Sequence, residues 1–291
     1  MRRFPGLSGD KEKSFKQTLD DLFQTEPQRL FMSAKAMASV KKQVLASPCI
    51  IDGSCKTDPQ CRHCKWRGMR SNDRVPSKKR SVEQVVAHAV MLEREGVDRL
   101  FLPSGWMGYE LPEDFYDYVK AVKGSIHIEV FGLFGALNRS SLEKLKDAGI
   151  DGILCGIESP NEEVYKTFRP GGDTLSSRID NLHDARELGL KLWTGFLYGL
   201  GETEEDIKNA LIYFRKLDID SLSILPFEPF PNTEMEAHNP PNLHSWAKVV
   251  AIAKIFLGDI NVFTSFGAHN MAAFGRNSGA NAFYFFPNAA G

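Results

Sequence analysis

The sequence feature that most constrains the fold is a joint between a helix and a strand, which recurs four times. Each joint joins a helical stretch to an apolar run through a short glycine or polar turn, at 92–101, 146–155, 185–194 and 215–224. The first three joints place a glycine at the helix end, where a left-handed residue is favoured, and Asp218 takes that place in the fourth. Helices that alternate with short apolar strands predict βαβ units and a parallel sheet.

Eight apolar runs are candidates for the strands of this sheet. They lie near 47–51, 98–103, 126–133, 152–157, 192–198, 220–226, 261–265 and 280–286. Eight parallel strands with intervening helices fit a (β/α)8 barrel of the TIM type, which is an α/β fold. A six-stranded partial barrel is the alternative, because the helical patterns over 243–258 and 270–278 are weaker.

The chain before the first strand predicts a helical extension. Residues 11–45 have apolar side chains at helical spacing, and Pro27 restarts the pattern. We expect residues 1–45 to form an N-terminal helical cap on the bottom of the main domain, and residues 46–291 to form the barrel. A chain of 291 residues, 42% of them hydrophobic, is long enough for one barrel of this kind.

Composition argues against several functional classes. The formal net charge is −1 and no block of like charges occurs, so a nucleic-acid partner is not indicated. No apolar run approaches the length of a membrane span, and the first 15 residues lack the apolar region of a secretory signal. The five cysteines, three of them clustered, do not suggest a disulfide framework, so we expect a reducing, cytoplasmic location.

Three cysteines form a C-x5-C-x2-C run directly after the first predicted strand: Cys55, Cys61 and Cys64. Three thiolates on one short loop suit a [4Fe–4S] cluster that keeps one iron open for an outside ligand. A structural zinc site stays open as an alternative, because His63 could supply a fourth ligand. A loop of free thiols is the simplest alternative.

The segments after the cysteine run resemble the radical S-adenosylmethionine (SAM) superfamily, and within it the biotin synthase-like group. "GIESPNEEVYKTFRPG" at 156–171 is similar to the group's strand-4 segment, and "YGLGET" at 198–203 is similar to its glycine motif after strand 5. "SRIDNLHDARELGLKLWTG" at 177–195 resembles its arginine-containing helix, and the whole resemblance covers 47–286. The chain departs from the commonest spacing, C-x3-C-x2-C, and His63 stands where the family has an aromatic residue.

The resemblance implies a role for each matching residue. Cys55, Cys61 and Cys64 would hold the cluster, whose open iron binds SAM. His63 would lie against the adenine, or would simply pack on the cluster loop. Arg178 would pair with the methionine carboxylate, which suits a planar guanidinium, or would be a solvated helix residue. Ser104 and Gly105 would contact the methionine amine of SAM, and Glu158 would contact the ribose or that amine. The residues that would lie against the adenine are Gly199, Leu200 and Gly201.

The chemistry implied by this resemblance is reductive cleavage of SAM. The cluster passes one electron to SAM, the C5′–S bond breaks, and the resulting 5′-deoxyadenosyl radical abstracts a hydrogen atom from a substrate inside the barrel. The cofactor carries this chemistry, while the barrel excludes water and side reactions. The implied partners are a small-molecule substrate and an electron donor such as ferredoxin or flavodoxin.

Strand alternation indicates which side chains could meet a substrate. His127, Glu129 and Phe131 share a face that suits the lumen, although His127 and Glu129 could merely hydrogen-bond each other in the core. Polar side chains on three strands predict a small polar substrate. The further substrate candidates, on strands 5 and 6, are Thr194, Tyr198 and Ser223.

The sequence gives weaker indications of the pathway. Biotin synthase itself is disfavoured, because that enzyme holds a second cluster on barrel cysteines, whereas strand 3 has none here and Trp193 stands at the strand-5 position. The cysteine spacing resembles the Hmd co-occurring protein B family, which is implicated in building the pyridinol part of the iron–guanylylpyridinol cofactor of [Fe]-hydrogenase. The alternatives are an [FeFe]-hydrogenase maturase, a pyrrolysine-precursor enzyme, or a non-catalytic Fe–S or zinc protein.

Overall fold

Eight parallel strands close into a barrel in the computed structural model, which describes residues 10–40, 42–64, 79–264 and 271–284, the last range without the side chains of its first two residues. The strands pair in sequence order, and the eighth pairs back with the first. This arrangement confirms the predicted (β/α)8 barrel and excludes the six-stranded alternative. The strands are β1 Val44–Pro48, β2 Arg99–Pro103, β3 Glu129–Leu133, β4 Gly152–Leu154, β5 Lys191–Tyr198, β6 Ser221–Pro226, β7 Asn261–Thr264 and β8 Ala282–Tyr284.

Helices connect the strands and form the outer layer, and several begin at side-chain caps. Ser81 and Thr203 each accept a hydrogen bond from the backbone three residues later, and Gln84 and Asp206 return it. None of the described helices combines the length and hydropathy that a membrane span needs. The helices are α1 Asp10–Gln24, α2 Pro27–Ser39, α3 Val82–Arg94, α4 Asp114–Lys123, α5 Arg139–Asp147, α6 Glu162–Phe168, α7 Leu175–Glu187, α8 Glu204–Leu217, α9 Leu243–Leu257 and α10 Met271–Asn277.

The first strand lies earlier than predicted. β1 begins at Val44, so the expected domain boundary after residue 45 falls within it. Parallel pairing nevertheless continues past its end, since the backbone N–H groups of Cys49 and Ile51 donate to carbonyls of β2. Residues 265, 285 and 286, which were also predicted as strand, lie outside the described part of the chain.

The two N-terminal helices pack mainly on the side of the barrel. Lys208 of α8 pairs with Asp20 of α1 at 2.7 Å, and Lys248 of α9 donates to the carbonyl of Phe23 at 2.6 Å. Helix α2 reaches the bottom of the barrel at the turn before β8, where an added Cβ on Gly279 would lie 2.7 Å from Ala34. Helices α1 and α2 therefore cover α8 and α9, and α2 also contacts the bottom of the barrel near β8.

The lower part of the barrel lumen holds an ionic layer. Arg99 Nε donates to Glu129 at 2.8 Å, and its Nη1 donates to the hydroxyl of Ser221 at 2.7 Å. Lys191 forms a second ion pair with the same glutamate. Burying charges is costly unless they are paired, and this layer supplies each buried charge with a partner.

Above the ionic layer lies an aromatic floor. Trp193 stacks on Phe263 with ring centroids 4.0 Å apart, and its Nε1 donates to Ser223 Oγ at 2.6 Å. That hydroxyl also shares a hydrogen bond of 2.7 Å with Tyr284, and burial raises the pKa of this phenol. The polar atoms of the floor thus satisfy one another. The floor consists of Phe101, Phe131, Trp193, Phe263 and Tyr284.

The strand-3 prediction for the lumen is partly wrong. Glu129 and Phe131 do face the lumen, but Glu129 lies at the N-terminal end of β3, below the aromatic floor. His127 precedes the strand, and its side chain is 97% exposed beside Glu93. In such barrels the site lies at the opposite, C-terminal end of the strands. The placement therefore contradicts the expected substrate role of His127 and Glu129.

The lumen face predicted for β5 is also wrong. Trp193 points into the lumen, so alternation turns Thr194 and Tyr198 toward the helix layer. The hydroxyl of Thr194 donates to the carbonyl of Cys155 at 2.8 Å. Ser223 faces the lumen as expected, but its hydroxyl is engaged within the floor. A substrate role for Thr194 and Tyr198 is contradicted by their orientation.

We expect Glu129→Ala to lower the free energy of unfolding by about 2–3 kcal/mol, because Arg99 loses its carboxylate partner. Burial would raise the pKa of Glu129, but the Lys191 hydrogen bond and the Arg99 charge outweigh it and lower this pKa. The stabilisation should therefore be complete above about pH 4.3 and be lost as pH falls through the lowered pKa. His127→Ala, at an exposed position, should change stability by less than about 0.5 kcal/mol. Urea unfolding measures both variants, and equal effects would contradict the ionic layer.

Candidate functional site

The cysteine loop follows β1 and lies at the C-terminal mouth of the barrel. The backbone N–H of Lys56 donates to the carbonyl of Trp106, in the loop after β2, at 2.7 Å. The N–H of Arg62 donates to the carbonyl of Phe168, at the end of α6, at 2.9 Å. The loop is therefore held on two sides by backbone hydrogen bonds. Its thiols are exposed at Cys55, buried at Cys61 and half-buried at Cys64.

Two glycines allow the close seating of this loop. A Cβ on Gly105 would lie 2.1 Å from the carbonyl oxygen of Ser54 and 2.5 Å from Cys55 Cβ. A Cβ on Gly171 would lie 2.4 Å from the backbone of Asp58. Only glycine lets backbone approach this closely. The hydroxyl of Ser104 donates to the carbonyl of Gly105 at 2.8 Å, so these two predicted site residues adjoin the cysteine loop.

Glu158 follows β4 and is presented by a left-handed backbone with φ of 57°, which is uncommon for a residue other than glycine. Its Oε1 accepts a hydrogen bond of 2.9 Å from Arg178, while its Oε2 lies 4.0 Å from His63 Nε2, beyond hydrogen-bond distance. Burial would raise the pKa of Glu158, but the charges of Arg178 and Arg169 lower it. One oxygen of an ionised carboxylate is therefore available to a ligand at the mouth.

Arg178 is buried and does not lie in solvent. Its Nε and Nη2 donate to Asp173 at 2.9 and 3.3 Å, and its Nη1 donates to Glu158 and to the carbonyl of Gly156. These bonds use four of the five N–H groups of a guanidinium. Pairing with both oxygens of a ligand carboxylate, as predicted, would require Arg178 to give up a present partner, because one N–H group is left. In this structure Arg178 instead orients Glu158.

Asp173 joins Arg178 to a second guanidinium, that of Arg169. Arg169 pairs with Asp173 through Nη2, and its Nε donates to Tyr165 Oη at 3.1 Å. Asp173 also accepts from the backbone N–H of Ala136 at 2.8 Å. Burial would raise the pKa of Asp173, but the two guanidinium groups hold it well below its usual range. Sequence reasoning missed Arg169, Asp173 and Tyr165, although two of them lie within the segment 156–171 that carried the resemblance.

His63 is largely buried beside the network, with its side chain 10% exposed. Its ring lies edge-on to Phe168 with centroids 6.4 Å apart, and its Nδ1 has no hydrogen-bond partner within the described ranges. Burial lowers the pKa of His63, and the charges of Arg169 and Arg178 lower it further against the opposing effect of Glu158. The ring is therefore neutral near pH 7. A contact with adenine stays a prediction.

The glycine-rich turn after β5 closes on its own glutamate. The backbone N–H groups of Gly199 and Leu200 donate to the carboxylate of Glu202 at 2.6 and 2.9 Å. Leu200 packs in an apolar cluster with Phe168, the residue that also contacts His63. Gly201 has φ of 118°, which a side chain would strain. The turn thus supplies an apolar wall close to the cysteine loop, where the sequence predicted an adenine contact.

The cysteine loop places three thiols on one short segment at the mouth of the barrel, where they can hold an iron–sulfur cluster. A four-iron cluster binds each thiolate through a different iron, so three thiols would leave the fourth iron open to an outside ligand. A structural zinc ion would need a fourth protein ligand to complete its tetrahedral coordination. Burial raises the pKa of Cys61 to about 11, while the charge of Arg169 opposes this rise.

Comparison with known proteins identifies the family. Residues 53–213 match the family model of the Radical SAM superfamily, and the chain belongs to this superfamily. An uncharacterized protein of Methanocaldococcus jannaschii is 30% identical over 76% of this chain and 59% of its own length. The [FeFe] hydrogenase maturase subunit HydE of Thermotoga maritima is 29% identical over 73% of this chain and 60% of its own length.

The chain therefore spans about three fifths of the length of these two relatives. Among solved structures, methylornithine synthase (PylB) matches with a TM-score of 0.81 at 20% identity, over 94% of this chain and 83% of that one. This similarity shows a shared fold. The superfamily uses a [4Fe–4S] cluster and SAM, and the three-cysteine loop at the mouth of the barrel fits the cluster.

Gly105→Ala should displace the cysteine loop, because the new Cβ would overlap Ser54 and Cys55. We expect iron bound after anaerobic reconstitution to fall by roughly half or more, since ligands must be held within about 0.5 Å of their productive positions. Far-UV circular dichroism should stay that of a folded barrel. Gly124→Ala is the control, because Gly124 ends α4 with φ of −73° and its added Cβ would lie no closer than 3.3 Å to another atom. Equal iron in both variants would show that the Gly105 contact is dispensable.

Proposed function

We propose that this protein is an enzyme that cleaves SAM reductively and acts on a small molecule held in the upper lumen. The observation that supports it most is the seating of the three-cysteine loop beside ionised Glu158, whose Oε2 has no hydrogen-bond partner in the described residues. A [4Fe–4S] cluster with an open iron supplies an electron to SAM and so starts radical chemistry. The protein's own part is to hold, orient and enclose the reactants.

Cys55, Cys61 and Cys64 would hold the cluster in this proposal. Glu158 would accept a hydrogen bond from the ammonium or a ribose hydroxyl of SAM, since its carboxylate is ionised and oriented by Arg178. The apolar wall formed with Leu200 would lie against the adenine. Ser104 and Gly105 would act mainly by seating the cysteine loop, because the hydroxyl is turned to the backbone.

The substrate would lie between the mouth and the aromatic floor. The described lumen side chains directly above the floor are apolar, with Leu133 and Leu225 only partly buried. The floor leaves no polar group unpaired, so it can exclude water from the reacting atoms without offering a competing hydrogen bond. These leucines favour a substrate with an apolar face, which modifies the expectation of a small polar substrate.

The finer proposal is a role in cofactor biosynthesis, on the pyridinol part of the iron–guanylylpyridinol cofactor. The C-x5-C-x2-C spacing supports this proposal. An aromatic pyridinol precursor would also suit the leucines above the aromatic floor. A ferredoxin or flavodoxin would be the electron donor. The similarity to HydE keeps another hydrogenase-maturation reaction as the alternative.

Anaerobic reconstitution should give about four irons per chain with the absorption of a [4Fe–4S] cluster. Replacing Cys55, Cys61 and Cys64 together by alanine should remove this iron, because no other described cysteine adjoins the loop. Cys49→Ala and Cys155→Ala are matched controls, since both thiols are buried against the helix layer. Full cluster content in the triple variant would reject the assignment. An EPR spectrum that SAM leaves unchanged would instead indicate a closed fourth iron and a non-catalytic protein.

The pathway can be tested by product analysis. The reconstituted protein with dithionite and SAM should form 5′-deoxyadenosine slowly, and the rate should rise at least several-fold with the true substrate. We expect this rise with a small-molecule extract from cells that make the iron–guanylylpyridinol cofactor, and none with an extract from cells that lack it. Mass spectrometry of the extract then identifies the consumed compound. Equal stimulation by both extracts would contradict the pathway while leaving SAM cleavage in place.

A further inference from the structure

The long gap in the cysteine run is packed into the mouth of the barrel. Residues 56–60 separate its first two cysteines, two residues more than in the commonest spacing of the superfamily. The backbone N–H of Lys56 donates to the carbonyl of Trp106 at 2.7 Å, and a Cβ on Gly171 would lie 2.4 Å from the backbone of Asp58. The gap therefore follows a path that neighbouring loops define.

Thr57 is the one buried residue of this gap. It is 4% exposed, whereas Cys55, two residues earlier, is exposed. An added Cβ on Gly172 would lie 3.0 Å from Thr57 Oγ1, 3.1 Å from its methyl carbon and 3.4 Å from Trp106. A β-branched side chain enclosed in this way has few rotamers, so its hydroxyl is held in one direction.

The hydroxyl of Thr57 contacts the thiol of Cys55. Its Oγ1 lies 3.0 Å from Cys55 Sγ, within the distance of a hydrogen bond that involves sulfur. In a hydroxyl–thiol pair either atom can be the donor. A thiolate that binds iron carries no proton, so only Thr57 can then donate. The contact thus becomes a hydrogen bond to a ligand atom of the proposed cluster.

We propose that Thr57 raises the reduction potential of the [4Fe–4S] cluster by donating a hydrogen bond to the Cys55 thiolate. This inference rests on the proposed function, because it takes Cys55 as a cluster ligand. Hydrogen bonds to the sulfurs are among the factors that set the potential of such clusters. One electron from the external reductant adds one negative charge to the cluster, and hydrogen bonds to charged acceptors are stronger, so the donor stabilises the reduced form more. Thr57 acts on the cluster through Cys55 and makes the cluster easier to reduce.

The test compares the reconstituted proteins by EPR at poised potentials without SAM. Thr57→Val removes the hydroxyl and keeps the shape of the side chain, whereas Thr57→Ser keeps the hydroxyl. We expect Thr57→Val to lower the ratio of reduced to oxidised cluster roughly three- to tenfold at the same potential, where tenfold is about 59 mV for one electron. Thr57→Ser should retain most of the wild-type ratio. Thr167→Val is the control, because this exposed hydroxyl donates to a backbone carbonyl of its own helix.

The outcomes separate a hydrogen bond from packing. A wild-type ratio in Thr57→Val would overturn the inference, and so would an equal fall in Thr57→Ser, since that variant keeps the donor. Should Thr57→Val not retain iron and sulfide, Thr57→Ala replaces it, because alanine places no methyl group at the Oγ1 position. Loss of the cluster from both, with Thr57→Ser intact, would make Thr57 a residue that holds the loop and would overturn its role in reduction.

Failure of this inference is distinct from failure of the proposed function. A wild-type protein that forms no four-iron cluster would overturn both. A protein that shows the expected fall in Thr57→Val but forms no 5′-deoxyadenosine from SAM would reject the proposed function and leave the role of Thr57 in place.

Discussion

The carboxylate of Asp173 lies between two buried guanidinium groups, and the architecture of the site depends on this contact. Arg169 and Arg178 would repel each other in the low dielectric of the barrel wall if no anion lay between them. Asp173 also accepts from the backbone of Ala136, after β3, so one side chain connects the loop after β3 with the end of α6 and with helix α7. Removing it would leave Glu158 as the one described carboxylate near both buried cations, a larger cost than the loss of one hydrogen bond.

The same contact determines how the mouth of the barrel is organised. Because Arg178 is fixed by Asp173, Glu158 is held in its left-handed conformation with one oxygen engaged and one open. The turn that carries Asp173 begins with Gly171, which packs against the backbone of Asp58 in the cysteine loop. The electrostatic network and the loop that would carry the cluster are therefore positioned by a single segment. The surrounding charged groups hold Glu158 in one position, and this offsets the cost of its left-handed backbone conformation.

Much of the fold was predictable because it depends on local pattern. The glycines at helix ends and the apolar runs after them marked the βα units, and their number gave the closed barrel. The order of motifs also placed the cysteine loop and Glu158 at one end. Side-chain direction was less predictable, because both faces of a strand in a parallel barrel are buried and polarity does not mark the lumen. For this reason the sequence prediction placed Thr194 in the lumen, whereas Trp193 faces inward. A shift of one residue reverses every side-chain assignment on a strand. Partners such as Asp173 depend on how loops pack, which no spacing in the chain specifies.

The aromatic floor divides the barrel into two compartments with separate demands. The floor and the space below it are filled by stacked rings and paired charges that hold one another. Above it, leucines such as Leu133 and Leu225 could change to suit a different molecule without disturbing the floor. A chain built this way can diverge in what it accepts while it keeps the same scaffold, because the residues that select the guest are not those that hold the walls together. The floor also limits depth, so a larger guest would have to extend outward past the loops rather than deeper into the barrel.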